Sequence, residues 1–289
     1  MQFFPQSATP VITAKQLSIC AEGLDHPEGL AFDRAGTLWA GGEAGQIYRI
    51  VDGEVETFAS LGGFCLGITV SAQQEIWVCN AGLHCLQKIN RQGKILSSWD
   101  NVDGRPLLTP NFSVFHPGGD LYFSDSGTWN EDNGVVYRLC PDGTIRLFAD
   151  GFSFANGLAL SASGDSLFVA ESQRDQVTRI DILPEGRGGG REVYACGLAR
   201  IPDGLALDTD SNLYVACYAT DCIYRVTPER VVELYAFDPE GTILARPTNI
   251  AFGGEGGKTM FVANLGRWHI ATLPSLSPGQ LLAGQEPRI

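Results

Sequence analysis

Residues 202–217 read PDGLALDTDSNLYVAC, and this stretch decides the fold. A proline and an acidic residue open it, a small and apolar run of strand length follows, a polar turn reverses the chain, and a second apolar strand returns. The phrase recurs as PEGLAFDRAGTLWAGG from Pro27, CLGITVSAQQEIWVCN from Cys65 and PNFSVFHPGGDLYFSD from Pro110. It returns as ANGLALSASGDSLFVAE from Ala155 and PTNIAFGGEGGKTMFVAN from Pro247. The second residue of the phrase is in turn Glu28, Leu66, Asn111, Asn156, Asp203 and Thr248, at spacings of 38, 45, 45, 47 and 45 residues. Each phrase runs into a third apolar segment, such as QIYRI, VVYRL or CIYRV, and usually a fourth, such as VETFA, TIRLFA or VVELYAF.

Four strands in a unit of about 45 residues, with almost no helical periodicity, describe the blade of a β-propeller. Six units give an all-β, six-bladed propeller. A β-sandwich would not repeat one phrase six times. The last repeat lacks a fourth strand of its own, while the segment around Leu17 to Cys20 resembles an outer strand leading into the first inner strand. The N-terminal strand is therefore expected to complete the last blade and close the ring, removing its open edges. No linker interrupts the repeats, so residues 1–289 are expected to form a single domain.

Composition agrees. The 35 glycines among 289 residues imply many turns, and many turns imply many short strands. The formal net charge of −13 excludes the basic footprint that nucleic-acid binding needs and disfavours anionic membrane surfaces. No apolar stretch approaches bilayer-spanning length. The opening MQFFPQSATP has neither the basic nor the apolar region of a secretory signal. Eight cysteines without a C-x-x-C pair read as buried apolar thiols in a reducing cytoplasm. No obligate protein partner is evident.

In a propeller the recurring second residue stands at the start of each inner strand, on the central channel. Glu28, Asn111, Asn156 and Asp203 offer two carboxylates and two amide carbonyls converging on one axis. Each alone reads as a turn former, but four at one repeat position fit a hard divalent cation. Ca²⁺ is favoured, with Zn²⁺, Mn²⁺ or Mg²⁺ as alternatives, because no histidine or thiolate occupies the position.

The phrases HPEGLAFD, PNFSVFHPGGDLYFSDSG, FANGLALS and IPDGLALD resemble the senescence marker protein / gluconolactonase / luciferin-regenerating enzyme family, over about residues 17 to 273. The resemblance implies a six-bladed propeller with a divalent metal in its channel, held by Glu28, Asn111, Asn156 and Asp203, and hydrolysis of a lactone or related ester. Sugar-lactonase members often carry an Arg two residues before the third-blade Asn and an Asp just after it. Here Thr109 and Phe112 stand there, so a small or aromatic lactone is expected to fit better than a polyol.

The longest loop between second and third strands, Ser124 to Gly134, is expected at the channel mouth as either a lid or a specificity loop, with Asp125 and Trp129 as substrate contacts. Glu171, Ser172, Gln173, Asn264, Arg267, Trp268, His26 and His84 fall near the same face, and His116 near the opposite one. The expected reaction is metal-assisted ring opening, in which the cation polarises the carbonyl and Asp203 directs a metal-bound water. No G-x-S-x-G elbow occurs and the four histidines are scattered, which disfavours a serine nucleophile. A non-catalytic metal- or ligand-binding propeller and a phosphotriesterase-like hydrolase are the alternative readings.

Overall fold

The computed structural model describes residues 9–285. The opening residues, on which the expectation about a leader largely rests, fall mainly outside them. The second strand of most blades is buried along its whole length, as in Ile76–Asn80, Leu121–Asp125, Ser166–Glu171 and Leu213–Cys217. Continuous apolar runs of this kind belong to strands covered on both faces. The cover is the neighbouring blade. Six four-stranded antiparallel sheets follow one another around a central axis. Their inner strands are Leu30–Phe32, Cys65–Val70, Pro110–Phe115, Ala155–Leu160, Pro202–Leu207 and Pro247–Gly253.

The apolar core is divided into six clusters, one at each junction between blades. The junction of blades four and five, for example, packs Phe168 and Val177 against Leu213 and Val215. Blades one and six meet through Leu30, Leu38 and Tyr48 on one side and Ala251, Ala263 and Ile270 on the other. Asp33 and Asp208 occupy equivalent first turns. Each caps turn N–H groups with one oxygen and takes a donor from a buried ring with the other, Trp39 Nε1 or Tyr214 Oη.

Ring closure is as the sequence suggests. Strand Ser18–Ala21 pairs antiparallel with His269–Pro274 and supplies the fourth strand of the sixth sheet. Ser18 and Thr272 also join through their hydroxyls at 2.9 Å. Just before it, Val11 and Ile12 donate to Leu234 and Tyr235 carbonyls of blade five, so the N-terminal segment touches two blades. At the far face, the C-terminal segment crosses the channel. The N–H of Gln280 donates to Leu207 O, Gln285 Nε2 to Phe252 O, and Gln74 Nε2 to Gly284 O. These bonds tie the segment to blades five, six and two.

Among the described residues no helix is long and apolar enough to cross a membrane. All eight cysteines are free; Cys65, Cys79, Cys85, Cys217 and Cys222 are buried, but Cys196 is exposed.

Candidate functional site

Where each inner strand starts, its pairing with the second strand slips. Pro202 pairs with Cys217, yet the next pair is Leu205 with Val215: three residues advance against two. The same slip lies between Cys65 and Ile68, Pro110 and Ser113, Ala155 and Leu158, and Pro247 and Ile250. Each is a bulge containing the recurring residue, and a bulge re-aims a side chain out of the regular alternation. In blade one Glu28 precedes the paired strand altogether. The residue after the recurring one is glycine in four blades. A methyl group on Gly157 would overlap the Asp203 carbonyl oxygen, and one on Gly204 the Thr248 carbonyl oxygen. Gly29 and Gly67 stand in the same relation to the next blade. The missing Cβ lets the starts of adjacent inner strands touch backbone to backbone, which draws the recurring side chains together.

Their chemistry is unusual for a protein interior. Asn156 and Asp203 are buried. Glu28 Oε2 and Asn156 Oδ1 are buried without a hydrogen-bond partner. Asn156 Nδ2 donates to Ser172 Oγ at 3.1 Å, and that hydroxyl donates to Pro202 O at 2.7 Å. The relay fixes the amide so that its oxygen is left over. Burial pushes the Glu28 carboxyl up to about 7. Burial, and then the negative charge of Glu28, push Asp203 well above the ordinary carboxylate range. No ion pair to Glu28 or Asp203 is formed among the described residues. Two converging carboxylates and an orphaned amide oxygen, with no protein cation, fit a hard divalent cation bound through oxygen. Asn111, also buried, stands at the equivalent place. Thr248 does not compete for that role, because its hydroxyl donates to Glu28 O at 3.1 Å and so stitches blade six to blade one.

The four expected substrate contacts separate into different places. Asp125 is buried beneath the mouth. Its Oδ1 accepts from the Thr109 N–H at 2.6 Å, and Oδ2 from the Leu108 N–H at 3.0 Å. The Thr109 hydroxyl donates to Gly127 O at 2.9 Å. Both residues therefore build the approach to Asn111 and offer little to a ligand. The same architecture recurs where Glu171 accepts the Ser153 N–H and Asn264 the Ala245 N–H, so these two are also supports. Phe112 belongs to the bulge itself and lines the apolar channel below, with Leu30, Ile68, Leu158, Leu205 and Ile250. Trp129 is exposed at the mouth, its ring packed edge-on against Phe154 at 4.7 Å.

The loop that carries Trp129 is fastened to blade four. Asn130 and Gln173 exchange two hydrogen bonds, Asp132 accepts from Ser153 Oγ at 2.6 Å, and Arg174 bonds Asp132 at 3.0 Å. These bonds suit a wall of the mouth, the specificity loop of the two alternatives, better than a hinged lid. His26 Nδ1 lies 2.7 Å from both Asp25 and Glu43 carboxylates at the mouth, and its ring packs on Trp268. His116 bonds Gly164 O on the far side, and His269 opens a strand, buried and bonded to Ile243 O.

A further feature was not anticipated from the sequence. The residue two places ahead of the recurring one is His26, Phe64, Thr109, Phe154, Ile201 or Arg246. Four of these hold a positive φ: His26 at 45°, Phe154 at 60°, Ile201 at 62° and Arg246 at 56°. Non-glycine residues, and a β-branched one above all, adopt this conformation at a cost. The next residue is Pro or Ala in all four, but Thr109 also precedes a proline and has no positive φ, so that step alone does not signal the strain.

A six-bladed ring with a cluster of oxygen-bearing side chains at one end of its channel defines an architecture, and comparison with known proteins places the chain in a family. The family model described as SMP-30/Gluconolactonase/LRE-like region matches residues 97–265. The chain belongs to this family. A second model, Strictosidine synthase-like, N-terminal, matches residues 15–50. The chain is 30% identical to a gluconolactonase of Zymomonas mobilis over 228 residues, 68% of this chain and 60% of that protein, so it spans less than two thirds of that relative. It is 29% identical to lactonase drp35 of Staphylococcus saprophyticus, over 72% of this chain and 68% of that one. A gluconolactonase structure from Xanthomonas campestris superposes with a TM-score of 0.78 at 22% identity, covering 89% of each chain. A calcium-binding regucalcin from Agrobacterium tumefaciens superposes at 0.77 with 16% identity, over 95% of this chain and 98% of that one. At these identities the two structures speak for the fold.

Proposed function

We propose that the chain is a divalent-cation-dependent hydrolase that opens a lactone or related carboxylic ester. The observation that carries the reading is that the half-buried Glu28 and the buried Asp203 lie close enough for their charges to interact, with no ion pair to either, while Glu28 Oε2 and Asn156 Oδ1 are left buried without a hydrogen-bond partner. The names of the relatives, gluconolactonase and lactonase, support the reaction class, and a calcium-binding neighbour supports the cation. Glu28, Asn111, Asn156 and Asp203 would hold the cation, with calcium first because every donor is an oxygen. A cation there supplies Lewis-acid polarisation of the ester carbonyl.

The residues do the rest. Asp203 faces the channel and is the base: its carboxylate takes a proton as water adds to the acyl carbon. The acyl C–O bond of the ring then breaks, and Asp203 returns the proton to the departing alkoxide. Glu28 supplies negative charge that holds the cradle, and Ser172 keeps the Asn156 oxygen aimed at it. The preference for a small or aromatic lactone rests on apolar groups at the mouth, Phe64, Trp129, Phe154 and Trp268, and no longer on Thr109 and Phe112. A cytoplasmic location, inferred from unpaired thiols, belongs to the same proposal.

The test is a panel of aromatic lactones, gluconolactone, aryl esters and phosphotriesters, each with and without chelator. Chelator-sensitive lactone turnover, abolished in Asp203→Asn, is the expected result. Turnover confined to phosphotriesters, or none on any ester with calcium bound, rejects the reading.

A further inference from the structure

A cleft of about 390 Å³ opens beside the channel mouth, lined by His26, Glu43, Phe64, Tyr218, Arg246 and Trp268 among others. Three of these residues, His26, Phe64 and Arg246, stand two places ahead of recurring channel positions, so the cleft adjoins the cradle. Its walls are largely aromatic. Its cation is Arg246, which is exposed.

Arg246 is positioned with care for an exposed side chain. Its φ of 56° is disfavoured for a residue with a Cβ. The Asp221 carboxylate holds that backbone by accepting the Arg246 N–H at 2.6 Å. The guanidinium lies over the Tyr218 ring, 5.3 Å from its centroid, and Nη1 donates to the Tyr218 hydroxyl at 3.1 Å. Stacking and one hydrogen bond fix the plane of the group and leave most of its five donors unused. No carboxylate forms an ion pair with it among the described residues. Glu43 lies in the same cleft but is engaged by His26 at 2.7 Å. An oriented, unpaired guanidinium at an aromatic wall matches a planar carboxylate bidentately. In a chain of net charge −13, such a group is also what lets an anion approach at all.

We propose that Arg246, oriented by Tyr218, is a specificity residue that receives a free carboxylate carried on the aromatic body of the substrate. The substrate is thus a lactone or ester that is itself an anion. This rests on the hydrolase reading for its meaning, but its test does not. Phenylacetate and the neutral phenylacetamide are titrated by calorimetry into full-length protein dialysed free of divalent cations, so that the carboxylate cannot bind a cation in the channel. Phenylacetate should bind at least about 10-fold more tightly, equivalent to about 1.4 kcal/mol. Arg246→Asn removes the charge and tolerates positive φ. It should lower phenylacetate affinity about 10-fold and shift phenylacetamide by less than about 2-fold. Tyr218→Phe, which keeps the stack but loses the hydrogen bond, should give a smaller loss and serves if the first variant misfolds. Equal binding of the two compounds, no measurable phenylacetate binding, or an unchanged preference in both variants overturns the proposal. A failure of every lactone to turn over rejects the hydrolase reading and leaves this binding result standing.

Discussion

At the mouth five of the six inner strands begin on a bulge and four follow a residue of positive φ; at the far end the strands run out through Phe32, Val70, Phe115, Leu160, Leu207 and Phe252. The mouth carries orphaned oxygens and carboxylates whose charge is opposed by burial. The far end is closed by the C-terminal segment, which leaves a cavity of about 50 Å³ beneath the cradle. A few residues along one strand thus separate a site that is costly to fold from packing that stabilises the fold. The ring tolerates the first because the second is repeated at six junctions.

The largest effect should come from breaking both ends at once. Removal of residues 1–21 deletes the strand paired with His269–Pro274 and exposes an edge of the sixth sheet. Cooperative unfolding in calorimetry should vanish or shift down by well over about 10 °C. A truncated protein that melts like its parent contradicts the role of closure.

Next comes a change confined to the mouth. Asp203→Asn should reduce lactone kcat/KM by about 10³-fold and weaken cation binding, with the far-UV spectrum unchanged. In the cation-free protein the same substitution should raise the melting temperature, because it removes a buried carboxylate beside Glu28. A lower melting temperature would show that Asp203 supports the fold in its own right.

Gly157→Ala tests the backbone contact that brings the two halves of the cradle together. The added methyl meets the Asp203 carbonyl, so destabilisation of about 3 kcal/mol is expected in denaturant unfolding. The penalty should be larger than for Gly143→Ala, where the added methyl meets nothing. Equal penalties would mean that positive φ at Gly143, and not close approach at Gly157, sets the cost.

The smallest effects are linked to protons and to the plug. Without a cation the Glu28 carboxyl is raised from 4.5 to about 7 in the folded protein. The folded state then binds more protons, so this stability is present below about pH 4.5 and is lost as pH rises through 7. A decline on the order of 2 kcal/mol is expected in chelator over that range, and calcium should abolish it. A chelated protein of constant stability from pH 5 to 7 would place Glu28 in water. Truncation after Pro278 opens only the far end and should cost about 1–2 kcal/mol while sparing kcat. A collapse of kcat would show that the two ends communicate.

The blades, their number and the closing strand were legible because they rest on strand-length apolar runs that repeat. The expected ligand set could be drawn up because one place in a repeat held four oxygen-bearing residues. What stayed hidden depends on register. A bulge adds one residue to one strand, and nothing in PDG or ANG announces it. Phe112, next to Asn111 in sequence, therefore passes below the cradle and faces the apolar channel. Asp125 reads as a loop carboxylate, yet it ends a buried strand and caps two N–H groups of the preceding segment. The clue lay in comparing blades: Asn80, Glu171 and Asn264 end the same strand elsewhere and likewise bond nearby backbone. Arg246 escaped notice because it precedes Thr248, which like Leu66 falls outside the expected ligand set.

The closing strand also sets a clock. Ser18 and Thr272 are 254 residues apart in sequence. At a ribosomal rate of about 5–20 residues per second, the first strand made waits roughly 13–50 s for its partner to be synthesised. Five blades can form from hairpins between neighbours during that interval, each with short loops to close. The sixth cannot, and it pairs only after loop closure across nearly the whole chain. Folding of this protein should therefore show a late phase in which a nearly complete ring searches for its own beginning. Until then an apolar edge at His269–Pro274 remains open to a strand from another copy, and assembly yield should fall as chain concentration rises.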